Sequence, residues 1–288
     1  MRIGDERESD NVEDRRGGGF VGAGGLGIGG TLIVLAVSYF LGIDPRALLG
    51  IAESVQDSTS SHQAQPIDPA RDPEAARVSE VKKILALNED TWGAIFERSN
   101  AQYRRPSVVL YRGRTPTACG TGQAAMGPFY CPGDEKVYLD LAFFDEMARR
   151  FHAGGDFARA YVIAHEIGHH VQNLTGVMAK TDRLRARLSK TDYNKVSVRL
   201  ELQADCFAGV WAQNANRTRH FLDPGDVESA LTAASAIGDD ALQRQAGGAV
   251  VPDSFTHGSS AQRVHWFRAG FDSGNVSSCN TFAENALR

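Results

Sequence analysis

The chain has 288 residues, of which 42% are hydrophobic and 23% charged, a composition typical of a globular protein with a sizeable core. Its formal net charge of −4 gives no reason to expect a nucleic-acid partner. The 30 glycines concentrate near the N-terminus and in predicted loops, which excludes a collagen-like or low-complexity protein.

An uncharged, apolar run extends from Gly18 to Ile43. A helix of about 24 residues rises roughly 36 Å, which is sufficient to cross a bilayer. A buried soluble helix is one alternative, but the run is rich in glycine and has no polar face. A cleaved signal peptide is another, but the run is long and its cleavage site is weak. We therefore expect a transmembrane signal anchor over residues 18–43.

Positive charges flank this run unevenly, because Arg15 and Arg16 precede it directly and only Arg46 follows closely. The positive-inside rule then predicts a cytoplasmic tail over residues 1–17 and a single-pass protein of the cytoplasmic membrane. Everything after the span would lie on the extracytoplasmic side. Residues 44–77 contain a stretch rich in Ser, Gln, Asp and Pro and are predicted to be a flexible linker. The folded domain is predicted to cover residues 78–288.

Within that domain, apolar spacing and turn residues predict helices and strands in a mixed order. In chain order they are a helix over 78–102, strands over 107–112 and 136–141, and helices over 142–152, 156–174, 193–214 and 226–237. Strands followed by a run of helices indicate an α+β fold.

The four cysteines are Cys119, Cys131, Cys206 and Cys279, and no two of them form a C-x-x-C pair. A cysteine zinc site is therefore not expected, whereas an oxidising compartment would allow disulfides. Of the three possible pairings we favour Cys119 with Cys131, which closes a short loop, and Cys206 with Cys279, which ties the C-terminal tail to a core helix. Four buried free thiols are the alternative.

The segment His165-Glu166-Ile167-Gly168-His169 lies on the helix predicted over 156–174. Positions i and i+4 share one helix face, so both imidazoles can bind one zinc ion. Glu166 can then reach a water at the metal and act as a general base. The alternative is an exposed polar helix face, and this pattern by itself does not decide between them.

A second acidic pair, Glu201 and Asp205, lies four residues apart on the helix predicted over 193–214. A catalytic zinc commonly has three protein ligands, and Glu201 can be the third beside His165 and His169. Asp205 can accept the second ring N–H of a ligand histidine and so fix its orientation. A solvated acidic pair is the alternative, but the neighbouring residues of the helix are mostly apolar.

These motifs together resemble a family of bacterial neutral zinc metallopeptidases. The likeness is carried by HEIGHH and ELQADC, by the preceding GPFYCP and VYLDLAFF, by the following SFTHGSSAQR, and by the N-terminal NVEDRRG. It implies a gluzincin type of site and a zincin-like fold, in which a mixed sheet lies above an active-site helix. It also implies that VYLDL lies near the cleft, as a candidate for its substrate-facing edge.

A looser likeness is to membrane-associated gluzincins of the CAAX-prenyl-protease kind, which carry Thr-His-Pro with an arginine six residues after the histidine. Here Thr256-His257-Gly258 is followed by Arg263 at the same distance, with glycine in place of proline. The likeness implies that His257 lies near the zinc, where it stabilises an oxyanion or caps the metal's open position. Arg263 would support it or hold a carboxylate. An ordinary loop histidine is the alternative.

The sequence therefore predicts a membrane-anchored zinc peptidase with Zn²⁺ as cofactor and a peptide or protein as substrate. Glu166 would be its general base. Two other readings stay open: a zinc amidohydrolase acting on a non-peptide amide, and a zinc-containing scaffold or chaperone-like protein of the envelope with little turnover. The sequence does not predict an oligomeric state.

Overall fold

The structure, a computed structural model, describes residues 1–17, 67–68, 71–124, 127–151, 153–247 and 249–287. These residues form a four-stranded mixed sheet, a two-stranded antiparallel hairpin and eight α-helices, so the predicted α+β class is confirmed. In chain order the elements are β1 (Val12–Asp14), α1 (Ala75–Arg98), β2 (Ser107–Tyr111), β3 (Arg114–Thr117), β4 (Gly120–Gln123), β5 (Phe129–Cys131), β6 (Lys136–Asp140), α2 (Ala142–Phe151), α3 (Asp156–Leu174), α4 (Val177–Arg185), α5 (Lys190–Arg219), α6 (Asp226–Ala236), α7 (Asp239–Gln245) and α8 (Ser260–Ser273).

The main sheet has the strand order β1-β2-β6-β5. Strands β1, β2 and β6 run parallel, whereas β5 runs antiparallel to β6. Val108–Tyr111 are all buried, as expected of a strand that is covered on both faces. The segment VYLDL, a candidate for the substrate-facing edge, is β6 and lies inside the sheet. The edge on that side is β5, whose three residues are too few to show a strand period in the sequence.

Helices α3 and α5 cross with their backbones close together. A Cβ atom on Gly168 would lie only 3.0 Å from the carbonyl oxygen of Ala204, so a larger residue would push the helices apart. Gly168 lies between His165 and His169, and Ala204 lies between Glu201 and Asp205. The close approach therefore brings the two predicted halves of the site face to face.

Helices α5 and α8 approach each other even more closely, through two glycines. A Cβ on Gly209 would lie 2.1 Å from the carbonyl oxygen of Phe267, and one on Gly270 would lie 1.9 Å from that of Cys206. No other side chain fits at either position without moving a helix. This packing holds the N-terminal turn of α8, which carries Arg263, beside α5.

The first fifteen residues belong to the folded domain, whereas the sequence predicted a tail separate from it. β1 pairs with β2, with Val12 opposite Val108. Ser9 donates to the buried carboxylate of Glu89 on α1 at 2.7 Å, and Arg7 donates to the same carboxylate at 2.8 Å. Met1–Arg15 and Pro69–Arg288 form one compact unit. The sequence does not indicate this pairing, because a strand of three residues is too short to show a period and pairs through its backbone.

The predicted span over Gly18–Ile43 lies outside the described residues and stays a prediction. Among the residues that the structure describes, no helix is both long and apolar enough to cross a membrane. Most of the linker predicted over 44–77 also lies outside them. Its described end differs from the prediction, because α1 begins at Ala75.

Both predicted disulfides are present. Cys119 in the turn between β3 and β4 bonds to Cys131 of β5, which ties the hairpin to the sheet edge. Cys206 of α5 bonds to Cys279 in the short 3-10 turn Val276–Cys279, which ties the C-terminal tail to the core. The alternative of four free thiols is thereby excluded.

Candidate metal centre

Helix α3 carries His165, Glu166 and His169 in its buried middle. Fifteen of its nineteen residues are buried, including the apolar run Tyr161–Ala164 before the first histidine. His165 and His169 retain only 6% and 9% of their surface, so the exposed helix face that the motif alone allowed is excluded. Buried imidazoles need partners that satisfy both ring nitrogens, and these partners come from the neighbouring helix and from Gln172 of α3 itself.

Glu201 of α5 lies against both histidines. Its Oε2 is 3.1 Å from Nε2 of His165 and its Oε1 is 3.5 Å from Nε2 of His169. Ligand atoms of all three residues lie within 4.8 Å of one another. Donor atoms around a tetrahedral zinc with bonds of about 2.0–2.1 Å are roughly 3.3 Å apart, so the donor set present here fits a zinc ion.

The other ring nitrogen of His165 is held by Asp205, as the sequence predicted for a residue that orients a ligand. Nδ1 of His165 is 2.8 Å from Oδ1 of Asp205, and Arg263 donates to both carboxylate oxygens at 2.9 Å. Tyr161 donates its hydroxyl to the same oxygen as His165 at 2.5 Å. An ionised carboxylate can only accept, so Nδ1 donates to Asp205, and Nε2, which faces Glu201, is the nitrogen that would bind a metal.

His169 is oriented by a different chain of groups. Its Nδ1 is 2.8 Å from Oε1 of Gln172, whose amide nitrogen donates to the Leu200 carbonyl at 2.7 Å and to Gln203 at 3.2 Å. Gln203 in turn donates to the carbonyl of Cys279 at 2.9 Å. An amide oxygen only accepts, so here too Nδ1 donates and Nε2 is left for a metal. This series of hydrogen bonds connects the site to the disulfide between Cys206 and Cys279.

The charged groups of the site stabilise one another in their ionised forms. Burial disfavours a charged His165, but Asp205 and Glu201 outweigh it and raise the pKa of this imidazole to about 10. Burial also disfavours ionised carboxyls, yet His169 and His165 hold the pKa of Glu201 well below its ordinary value. Arg263 and His165 likewise lower the pKa of Asp205 despite its burial. The carboxylates are therefore ionised in the neutral range, the state that binds a divalent cation.

Glu166 lies on the metal side of α3. With 100° of rotation per residue, its side chain leaves the helix about 60° from that of His169. The Glu166 side chain is 8% exposed, and its charge acts on His169. A carboxylate at this position can receive a proton from a water molecule at the open corner of the metal.

The loop that carries His257 packs against α5 beside Glu201. A Cβ on Gly258 would lie 3.3 Å from Val198 and 3.1 Å from Leu202. Gly258 has a φ of +94°, which proline cannot adopt, so this loop departs from the Thr-His-Pro conformation. His257 does not join the cluster of metal-ligating atoms within the described residues. Its imidazole is instead held by Asp239, at 3.2 Å from Nδ1 to the carboxylate.

His170, next to the second ligand, has a structural role. Its Nδ1 is 3.0 Å from the hydroxyl of Tyr130 and its Nε2 is 2.6 Å from the carbonyl of Arg104. Burial lowers the pKa of this imidazole, and both nitrogens have partners away from Glu201. His170 thus fastens α3 to β5.

The sequence analysis did not identify four residues that shape the site, which are Tyr161, Gln172, Gln203 and Asp239. Tyr161 precedes His165 by one helical turn and Gln172 follows His169 by three residues, so helical spacing could have indicated both. Gln203 and Asp239 depend on which helices meet, and no local pattern indicates that.

Two imidazole nitrogens and a carboxylate on crossing helices, with a glutamate beside the first histidine, are the residue set typical of a zinc metallopeptidase site. The chain belongs to the family described as "Putative neutral zinc metallopeptidase", whose model matches residues 1–282. The family implies Zn²⁺ as the metal. Its match also includes the segment that carries β1.

Similar proteins occur in distant bacteria. The Escherichia coli (strain K12) protein with the name Uncharacterized protein YpfJ is 51% identical over 295 residues, which cover 99% of this chain and 100% of the relative. The Mycobacterium bovis protein with the name Uncharacterized protein Mb2605 is 38% identical over 254 residues, or 84% of each chain. No solved structure matches this chain.

Proposed function

We propose that this protein is a zinc-dependent peptidase that hydrolyses peptide bonds with an activated water molecule. The observation that carries the proposal is the convergence of His165, His169 and Glu201 beside Glu166. A purely structural zinc site is usually closed by four protein ligands and needs no base. Here three protein ligands would leave one position open, and the buried carboxylate of Glu166 follows the first of them on α3.

His165, His169 and Glu201 would hold the ion, and Asp205 and Gln172 would fix the two imidazoles. When bound, zinc supplies Lewis acidity, which polarises a carbonyl group and makes a water molecule acidic near neutral pH. Glu166 accepts the proton of the attacking water and then passes it to the leaving amine.

The substrate would lie along β5 as an additional strand. β5 is the edge of the main sheet, and its Tyr130 contacts both His170 and Asn173 of α3, so this edge runs beside the helix that carries the site. An extended peptide bonds to such an edge through its backbone, while its side chains enter neighbouring pockets. The zincin-like fold that the resemblance implies would also place a sheet edge beside its active-site helix, and it stays a prediction.

We further propose that the domain functions outside the cytoplasm and that the apolar run Gly18–Ile43 attaches it to the membrane. Two disulfides in one domain are typical of an oxidising compartment. A segment that crossed the membrane once would separate β1 from β2, which are paired. We therefore propose that residues 1–15 lie on the same side of the membrane as the domain.

A digest of a peptide library with the full-length zinc-loaded protein tests the proposed activity. We expect cleavage fragments, no cleavage after chelation, and recovery when zinc is restored. Turnover of small non-peptide amides alone would instead favour the amidohydrolase reading. A protein that binds zinc stoichiometrically and turns over neither class of substrate would contradict the proposal and favour the scaffold reading.

A further inference from the structure

The end of the molecule at the start of α5 exposes apolar side chains. Of the residues that the structure describes, five large apolar side chains are between 37% and 49% exposed, namely Leu184, Leu188, Val250, Val251 and Phe282. They are far apart in the sequence, yet all belong to segments that contact α5 within residues 190–199. Single exposed apolar residues are ordinary, whereas a group at one end of a domain marks an interaction surface.

The two leucines lie on the turn that joins α4 to α5. Every residue from 182 to 190 is exposed. The N–H of Leu188 donates to the carbonyl of Leu184 at 3.0 Å, so the two side chains leave the same side of a helical turn. Arg185 lies over the ring of Tyr193, 5.1 Å from its centre, and this contact fixes the turn against α5.

The other exposed apolar residues are held on different sides of the same helix. Asn194 donates to the carbonyl of Asp253 at 3.0 Å, and this bond holds the segment that carries both valines. Arg199 donates to the two carbonyls that flank Phe282. Asn194 and Arg199 leave the helix about 140° apart. The apolar residues therefore surround the start of α5 instead of lining a groove on one side of it.

Positive charge is concentrated at the same end. Residues 180–190 carry one acidic side chain and five exposed basic ones, which are Lys180, Arg183, Arg185, Arg187 and Lys190. None of the five forms an ion pair within the described part of the chain. The whole chain has a formal net charge of −4, so this concentration is not a general property of its surface. Basic side chains interspersed with leucines are typical of segments that lie on an anionic membrane.

We propose that this end of the domain, formed by residues 180–190 with the exposed valines and Phe282, docks on an anionic phospholipid surface. The cations bind lipid headgroups, and the apolar side chains enter the headgroup layer. Apolar residues around one helix end suit a flat membrane, which touches all of them at once, better than the groove of an acidic protein. Glu201 follows Lys190 by eleven positions, so the metal centre lies about 16 Å along α5 from the docked end. This inference does not rest on the proposed peptidase activity.

The test uses the full-length protein in lipid nanodiscs that contain a lipid with a quencher on its headgroup. All four native cysteines are in disulfides, so Ala186→Cys and Thr218→Cys, at exposed positions near the two ends of α5, accept a fluorophore selectively. With phosphatidylglycerol we expect strong quenching at position 186 and little at 218. With phosphatidylcholine alone, quenching at 186 should be weak. Equal quenching at both positions, or at 186 in both lipids, would overturn the proposal.

Charge reversal measures the contribution of the cations. Arg183→Glu/Arg187→Glu should lower the ratio of docked to undocked domains roughly 30-fold in anionic nanodiscs, or about five-fold for each cation removed. Arg98→Glu/Arg268→Glu changes the net charge equally, at exposed positions beside the far end and the middle of α5, and should keep the ratio within two-fold. Unchanged urea midpoints confirm that the variants are folded. An equal loss from both pairs would show a general effect of net charge and overturn the proposal.

A second variant keeps every charge and tests the apolar side chains. Leu184→Ser/Leu188→Ser should lower the ratio of docked to undocked domains by about five-fold or more, because two leucines no longer enter the headgroup layer. Unchanged docking of this variant would contradict the proposal and leave an acidic protein as the better partner for the cations.

Discussion

The carboxylate of Asp205 lies 2.8 Å from Nδ1 of His165, and this contact makes the orientation of a metal ligand depend on the packing of α8. Arg263 donates to both oxygens of the same carboxylate from the first turns of that helix. The helix reaches this position only because Gly209 and Gly270 let its backbone touch α5. A buried ion pair thus connects the zinc site to the C-terminal part of the fold.

Removing either partner of this pair should have a large effect. Arg263→Met leaves the Asp205 charge buried without its cation and is expected to lower the free energy of unfolding by about 3–5 kcal/mol. Asp205→Asn is expected to weaken zinc binding about 10- to 100-fold. Urea unfolding and competition with a chelator measure the two effects. Arg268→Met, an exposed position on the same helix, is the control, and an equal effect there would argue against a special role of Arg263.

The two disulfides should differ in what they stabilise. Cys206 and Cys279 close a loop of 73 residues and Cys119 and Cys131 one of 12, for which chain entropy gives about 4 and about 3 kcal/mol. Among the described residues, hydrogen bonds through Gln203 and Gln172 connect the longer one to His169. The double variant Cys206→Ser/Cys279→Ser should therefore lose both stability and zinc affinity, whereas Cys119→Ser/Cys131→Ser should lose mainly stability. Equal losses of zinc affinity in both variants would contradict this connection.

The pairing of β1 with β2 predicts which side of the membrane the N-terminus occupies. All four cysteines are in disulfides, so a new cysteine at Asp10→Cys or Asp182→Cys, both exposed positions, can be labelled selectively. A membrane-impermeant maleimide applied to intact cells should label both variants if the domain lies outside. Labelling of one position alone would show that the chain crosses between them and that β1 is not paired in the cell.

Helical periodicity in the sequence predicted much of the candidate site. It indicated that His165 and His169 share one face of their helix and that Glu201 and Asp205 share one face of theirs, because the two residues of each pair are four positions apart. Helix α3 begins and ends at the predicted residues, and α5 extends beyond its predicted ends to Lys190 and Arg219.

The remaining features depend on contacts between distant parts of the chain. Asp239 reaches His257 only because α7 and α8 pack at Gly238, and nothing in the local sequence around Asp239 indicates this. β1 is recognised only by its partner β2, since a strand of three residues is too short to show a period. In the sequence, a glycine that permits a close helix crossing cannot be told from a glycine in a loop. Its role becomes visible only in the structure.

Asp240 provides a pH-dependent contribution to stability. Burial opposes its ionised form, but the Ser260 N–H and the Arg244 guanidinium outweigh it and lower the pKa of this carboxyl to about 2. Its stabilising effect is therefore complete above the unfolded pKa of about 3.9 and is lost as the pH falls through about 2. Asp240→Asn should cost roughly 1–2 kcal/mol at pH 7 and less at pH 3 by urea unfolding. A pH-independent cost, or an equal one from the exposed Asp272→Asn, would contradict this.

The most direct measurement is the turnover and zinc content of Glu166→Gln beside those of the wild type. The variant should keep one zinc per chain and lose peptide hydrolysis by about 100-fold or more, because an amide cannot accept the proton of the attacking water. Glu146→Gln, at an exposed position on α2, should behave like the wild type. Unchanged peptide hydrolysis by Glu166→Gln, with zinc in place, would contradict the role of this residue as the base of a zinc peptidase.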